Sequence, residues 1–469
     1  MQKQVIGLML LTLLLFSAFP VHADQVEERS FEEESIYFIM VDRFNNGDTS
    51  NDADVDHTNP VAYQGGDLKG ITDKLDYIKE MGFTSILLTP IFNNGADGYN
   101  GYNIENYTEL EEHFGTIEDL KELTTQAHKK NMKVILDLGL RSVNGTPLNQ
   151  GEMLEVAQKW IQEADIDGYK LDITDGMEEG VIAKLSESVK TVKENFIVIG
   201  QQAGKVETHL SQFKDAGVDL FFNNLLYQGV TSFSIPNQGF ENLEANWDQL
   251  SQDYKNPNRL LTFMDNQDTM RFTYLSTEEN EHPAPRIKLG LTYMYTAPGI
   301  PIVYYGTEIA LNGAEPPANS GLMDFRTDQE LVEYITLLSK VRTSIPALTK
   351  GTFEVIANEG GMLLFKREYE GETAYVAINN TLKAQKFTFS SEQIGKDKEL
   401  KGLLTEDLVR PVDDEFNVVV ERDAAEVYLV QNSTKINYSL FLAVFIVPLL
   451  MIGFIYLNKK RHGNNPKPE

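Results

Sequence analysis

The chain contains no cysteine, which excludes disulfides, thiolate metal sites and a cysteine nucleophile together. It is also short of positive charge: 41 lysines and arginines stand against 70 aspartates and glutamates, a formal net charge of -29. Nucleic acid, whose phosphates such a surface repels, is excluded as a partner, and a neutral ligand or a bound cation is the easier companion. Histidines number only seven. His57, His113, His128, His209 and His282 are scattered without metal-ligand spacing and read as surface or packing positions.

Long apolar runs are confined to the two ends. Lys3 precedes the apolar stretch 5–19, and Val21-His22-Ala23 places small residues where a signal peptidase cuts, so residues 1–23 read as a signal peptide. Residues 438–457 are an almost unbroken apolar stretch, about the twenty residues a helix needs to cross a bilayer. Lys459, Lys460 and Arg461 follow, and positive flanks stay in the cytoplasm. The expectation is a single-pass cell-membrane protein. Its globular part lies outside, residues 431–437 are a linker, 438–457 a transmembrane helix and 458–469 a cytoplasmic tail. The acidic run 27–34 reads as a solvated leader.

From Ser35 onward, strand-like runs alternate with amphipathic helical ones. The runs 36–41, 84–88, 133–137, 167–175, 196–199, 218–222, 260–264 and 302–305 are eight apolar strands, while 75–81, 117–130 and 152–164 have helical spacing. Apolar strands separated by helices predict a parallel sheet covered on both faces, and eight of them an α/β fold of the (β/α)8 TIM-barrel type over residues 24–348. Beyond Leu348, short strands at 353–356, 362–366, 373–378, 387–389, 418–420 and 425–430 predict a small all-β sandwich domain over 349–430.

Asp137, Asp172 and Asp268 each stand at or just beyond the end of a predicted barrel strand, the face where barrels carry their chemistry. Carboxylates so placed suit glycoside hydrolysis, in which one attacks the anomeric carbon and another protonates the leaving oxygen. In an earlier loop, Asn46, Asp48, Asn51 and Asp52 alternate amide and carboxylate oxygens. Gly65-Gly66-Asp67 closes that loop with the Gly65 carbonyl and the acid Asp67. Oxygen-only ligands of this number suit a structural Ca2+.

The residues around these acids resemble the α-amylase family of glycoside hydrolases, from about Ser35 to the end of the β domain. The likeness rests on Val41-Asp42-Arg43-Phe44-Asn45-Asn46-Gly47-Asp48, Gly101-Tyr102-Asn103 with Phe114-Gly115-Thr116, and Val134-Ile135-Leu136-Asp137. It continues through Gly168-Tyr169-Lys170-Leu171-Asp172, Asp265-Asn266-Gln267-Asp268 with Arg271, and Tyr304-Tyr305-Gly306-Thr307-Glu308. By position, the resemblance implies that Asp172 is the nucleophile and Asp268 the transition-state-stabilising acid. It implies that Tyr102 is the aromatic platform under the sugar, and that Asp137, Gln267 and Arg271 are further substrate-binding positions. The Asn46 to Asp67 oxygens are similar to a calcium loop of the bacterial members that make cyclic dextrins.

The departures bear directly on activity. The family's general acid follows the glycine that ends the fifth strand, and here Gly200 is followed by Gln201 and Gln202. An amide fits that space but cannot release a proton, and general acid catalysis contributes about a hundred- to ten-thousand-fold. The arginine expected two residues before the nucleophile is Lys170, which loses the planar fork. The histidine expected before Asp268 is Gln267, and the asparagine and histidine expected after Asp137 are Arg141 and Ser142. The lobe the family inserts after the third strand is replaced by a loop between Asp137 and Glu152.

The leading expectation is therefore an extracellular, membrane-tethered α-amylase-like protein that recognises an α-1,4-glucan or maltooligosaccharide and hydrolyses it weakly or not at all. A second is an active retaining α-glucan hydrolase with a non-standard proton donor. A third is a surface scaffold for a membrane protein partner, since the lost catalytic groups and the membrane helix are similar to the ancillary heavy chains of amino-acid transporters.

Overall fold

Apolar strands buried on both faces can satisfy their backbone groups only by pairing with one another. In the computed structural model, which describes residues 29–95, 98–140, 148–174, 177–202, 210–240, 243–254, 256–433 and 445–456, they do so by closing on themselves. Strands β1 (Ile36–Ile39) and β2 (Ser85–Leu88) are followed by a hairpin of β3 (Phe92–Asn94) and β4 (Ile104–Leu110). Then come β5 (Lys133–Asp137), β6 (Gly168–Ile173), β7 (Ile197–Gln202), β8 (Leu220–Phe222), β9 (Leu260–Thr262) and β10 (Ile300–Tyr304). The barrel order is β1-β10-β9-β8-β7-β6-β5-β2, with every neighbouring pair parallel.

The covering helices begin where capping chemistry allows. Thr116 and Asp119 form a capping box at the helix Ile117–Lys129, and Asn149 and Glu152 another at the helix Gln150–Ala164. Trp160 on the latter helix is buried. Its Nε1–H donates to the Tyr107 carbonyl at 3.0 Å and its ring lies 5.5 Å from Phe92, so one side chain fastens the β3–β4 hairpin to the barrel wall.

Two acids of the expected leader are not solvated. Glu32 and Glu34 are buried at the pole where the strands begin. Glu34 accepts from Thr84, from Ser85 Oγ at 2.9 Å and from Lys133 Nζ at 2.7 Å, and Glu32 from Arg259 Nε at 2.9 Å. Paired and hydrogen-bonded, these acids tolerate a burial that a lone carboxylate would not.

The β domain contains β11 (Glu354–Glu359), β12 (Met362–Tyr369), β13 (Glu372–Asn379), β14 (Gln385–Ser390), β15 (Lys398–Gly402), β16 (Leu408–Val409), β17 (Glu415–Val420) and β18 (Ala424–Asn432). A six-stranded sheet, β11-β12-β13-β18-β15-β16, is faced by the β14–β17 ribbon across a small core of Met362, Leu364, Phe389, Phe416 and Val418. Strand β15 was not anticipated, because Lys398-Glu399-Leu400-Lys401 reads as polar. Its Glu399 is buried against Arg410 Nε at 3.0 Å and Gln431 Nε2 at 2.9 Å. The domain is joined to the barrel by Arg286, which bonds Asn380 and Asp423, and by Arg367, whose Nη1 donates to the Thr296 carbonyl at 2.7 Å.

Among the described residues no helix is long and apolar enough to cross a membrane. Of the stretch 438–457, residues 438–444 and 457 lie outside the described residues, and 445–456 form a helix whose Phe445, Leu449, Leu450 and Phe454 are exposed. Twelve residues rise about 18 Å, short of the roughly 30 Å hydrocarbon core. Residues 1–23 and 458–469 also lie outside the described residues.

Candidate active site

The site is built from β5 and β6. Asp137 ends β5 and is level with Lys170 in the β5–β6 register, and the period of two brings Asp172 to the same face as Lys170. All three are buried. Lys170 Nζ lies 2.6 Å from Asp137 Oδ2 and 2.7 Å from Asp172 Oδ1, so a single ammonium bridges two carboxylates. Burial alone would lower the Lys170 ammonium, but Asp137 and Asp172 more than offset it and hold it above the usual lysine range.

The Tyr102 hydroxyl donates to Asp137 Oδ2 at 2.5 Å, and the Gly139 N–H donates to Asp137 Oδ1 at 2.9 Å. Asp137 is thus fully enclosed. Burial pushes its carboxyl up to about 6, against the pull of Lys170. Sequence reasoning placed it among the substrate-binding residues, whereas here it positions Tyr102 and Lys170 and faces no solvent.

Tyr102 remains partly exposed, its ring 5.9 Å from the Lys170 ammonium. Burial and the neighbouring charges of Asp137, Asp172 and Asp268 raise its phenol well above the usual range. The structure therefore gathers the three predicted acids around this tyrosine.

Gln201 lies beside Asp172 in the β6–β7 register. Its Oε1 is buried and has no hydrogen-bond partner among the described residues. Asp268 sits in the loop after β9, exposed, its N–H donating to Asn266 Oδ1 at 2.9 Å and its Oδ2 accepting from Gln267 Nε2 at 2.8 Å. Gln267 Oε1 is a second buried acceptor without a partner among the described residues. Two unsatisfied amide oxygens at the barrel mouth are what hydroxyl donors of a ligand would satisfy.

Arg271 does not face this opening. It is buried, with Nε on the Asn319 carbonyl and Nη1 on the Tyr305 carbonyl, each at 2.8 Å, and its guanidinium lies 4.2 Å from the Tyr304 ring. It supports the β9 loop from beneath. Asn319, which sequence reasoning missed, does the same: its Nδ2 donates to the carbonyls of Asn266, Gln267 and Thr269. No motif flagged it, because its partners are about fifty residues away. Arg141 and Ser142 lie outside the described residues.

The early loop divides its predicted ligands. Asp67 is buried, and its carboxylate accepts the N–H groups of Gly47, Asp48 and Gly70, capping the helix Leu68–Asp73 instead of facing a cation. Asp48 is turned to Ser50. Asn46 Nδ2 lies 2.9 Å from Asp52 Oδ2, and Asn51 Oδ1 is buried without a partner. A Cβ on Gly65 would sit 2.7 Å from Asn46 Nδ2 and 2.8 Å from Asp52 Oδ1, so this glycine (φ +90°) leaves a cradle beside them. Asn46, Asn51, Asp52 and the Gly65 carbonyl fit a calcium ion, Asp48 bonds Ser50 through Oδ1 alone, and Asp67 is taken up by backbone N–H groups.

Residues 38–140 match the family model described as alpha amylase, catalytic domain, and residues 351–428 the alpha-amylase C-terminal domain. The crystal structure of an Anoxybacillus α-amylase is 43% identical, covers 87% of this chain and 100% of its own, and superposes with a TM-score of 0.83. This chain belongs to the α-amylase family. The α-amylase of Geobacillus thermoleovorans, solved in complex with acarbose, is 40% identical with a TM-score of 0.79, covering 87% of this α-amylase-family chain and 100% of that one. The cyclomaltodextrinase of Thermoanaerobacter pseudethanolicus is 28% identical over 78% of this chain and 73% of its own length. For the Beta/alpha-amylase of Paenibacillus polymyxa, also 28% identical, the alignment spans 81% of this chain but only 36% of that protein.

Proposed function

We propose that this α-amylase-family protein binds α-1,4-glucan at the barrel mouth and hydrolyses it weakly or not at all. The observation that carries this reading is Gln201, an amide beside Asp172 whose buried oxygen has no partner among the described residues. A carboxylate at Asp172 can approach an anomeric carbon, but breaking the glycosidic bond leaves an oxygen that needs a proton. Gln201 can bond that oxygen and cannot supply the proton.

The acid that burial pushes up to about 6, Asp137, is buried behind Tyr102 and Lys170 and bonded to both. This removes Asp137 as the donor in the alternative of a working hydrolase. The acarbose complex of the Geobacillus relative supports α-glucan as the ligand class.

Calcium held by Asn46, Asn51, Asp52 and the Gly65 carbonyl would have a structural role in this reading. Chelation then lowers the unfolding midpoint of wild type but leaves Asp52→Ala unchanged, by differential scanning fluorimetry. The exposed apolar side chains of 445–456 support a membrane tether within 438–457, and Lys459, Lys460 and Arg461 after it favour a barrel outside the cell.

The test is reducing-end release from maltooligosaccharides by wild type, Gln201→Glu and Asp172→Asn. Wild type is expected to be silent and Gln201→Glu to gain turnover. Wild-type turnover abolished by Asp172→Asn would overturn the proposal.

A further inference from the structure

A cavity of about 580 Å³ lies between the barrel and the β domain, at the pole opposite the candidate site. Its lining residues Asn258 and Pro298 precede β9 and β10, whereas the acids of the barrel mouth follow strands. The volume falls within the roughly 300–1,000 Å³ of small-molecule sites.

Its walls are held fixed from both domains. Trp247, on the helix Leu243–Asp253, donates Nε1–H to the Tyr293 hydroxyl at 3.1 Å and packs 5.1 Å from Phe353, which lies 5.1 Å from Phe365. Arg367 donates to the Gly351 carbonyl at 3.1 Å, the Thr352 carbonyl at 2.8 Å and Asn258 Oδ1 at 3.1 Å, so one buried guanidinium ties three lining residues together.

The lining chemistry selects a ligand class. Phe353, backed by the buried Trp247, supplies an aromatic wall, Ser251, Thr352 and Asn258 supply hydroxyl and amide groups, and Asp248 adds an exposed carboxylate that accepts from hydroxyls and repels anions. The ammonium that lines it, Lys350, is already paired with Glu33 Oε1 at 2.8 Å, so it is not an open receptor for an anion. An aromatic wall with a hydroxyl and amide rim suits a neutral ring with an apolar face and polar edges. We propose that this interdomain cavity is a second saccharide seat, taking a short stretch of the α-glucan. The choice of glucan rests on the function proposed above; the cavity's fit to a neutral sugar does not.

Two seats on opposite poles let a long glucan or a branched particle engage one molecule twice, which raises retention on polymer without raising affinity for a short sugar. The experiment is calorimetric titration of the full chain with maltotriose, together with affinity electrophoresis in soluble starch. It compares wild type, Tyr102→Ala, and two cavity-filling variants from opposite walls, Ser251→Trp and Thr352→Trp, both at exposed positions.

The expected result is two equivalents of maltotriose for wild type, and one for Tyr102→Ala and for each filling variant. Starch retention then falls about tenfold in every single variant. A single wild-type equivalent that Tyr102→Ala removes and neither filling variant touches overturns the second seat and leaves the mouth standing. A single equivalent removed only by the filling variants supports the seat and overturns the mouth. No binding by wild type overturns both.

Discussion

Asp172 and Asp268 stand three places apart around the barrel, in and after strands that are equally buried, yet their surroundings differ. Asp172 is buried and shares the Lys170 ammonium with Asp137, while Asp268 is exposed and held by a neighbouring amide and its own backbone N–H. One acid is part of the fold's charge balance, and the other is mounted on a loop that the fold braces from below through Arg271 and Asn319. A buried acid paired in this way has a structural reason to persist whether or not the site turns over. Retention of Asp172 is not by itself a sign of retained catalysis.

The largest effect that separates the two acids is on folding. Lys170→Met leaves two buried carboxylates without their shared cation and is expected to cost about 3–5 kcal/mol in urea unfolding. Asp268→Asn is expected to stay within about 0.5 kcal/mol. Equal costs for the two would break the comparison. Trp160→Ala removes the anchor of the hairpin after β2 and should destabilise by about 3 kcal/mol, toward the low end for a buried tryptophan. It should also weaken maltotriose binding through Tyr102.

A smaller effect lies in pH dependence. The Asp137 carboxyl is raised from its ordinary 3.8 to about 6, so between these values the folded state holds more proton than the unfolded one. Its contribution to stability is fully present below about 4 and is lost as pH rises through about 6. Asp137→Asn should flatten that slope in thermal unfolding followed from pH 4 to 7, and Asp268→Asn should leave it unchanged. A slope that survives Asp137→Asn would place the proton elsewhere.

Most of the barrel was legible because continuous apolar runs of strand length, separated by helical periods, have few other ways to be buried. The three acids were legible as strand-end residues, and Tyr102 proved to lie among them. Glu32 and Glu34 were misread as solvated, because their partners Arg259, Thr84, Ser85 and Lys133 are distant in sequence. Asn319 and strand β15 were invisible for the same reason. A polar residue's local sequence does not tell whether a distant donor will meet it.

The sequence by itself determined the order of the eight barrel strands and the chemistry at position 201, since an amide has no proton to give in any fold. Only the tertiary structure decided that Lys170 bridges two carboxylates, that Asp137 is sealed from the opening, and that Arg271 lies under the loop instead of within it. It alone decided that two domains enclose a cavity at the far pole. Strand period and side-chain chemistry are local properties, whereas the loss of water around a charged or polar group depends on which distant elements close over it.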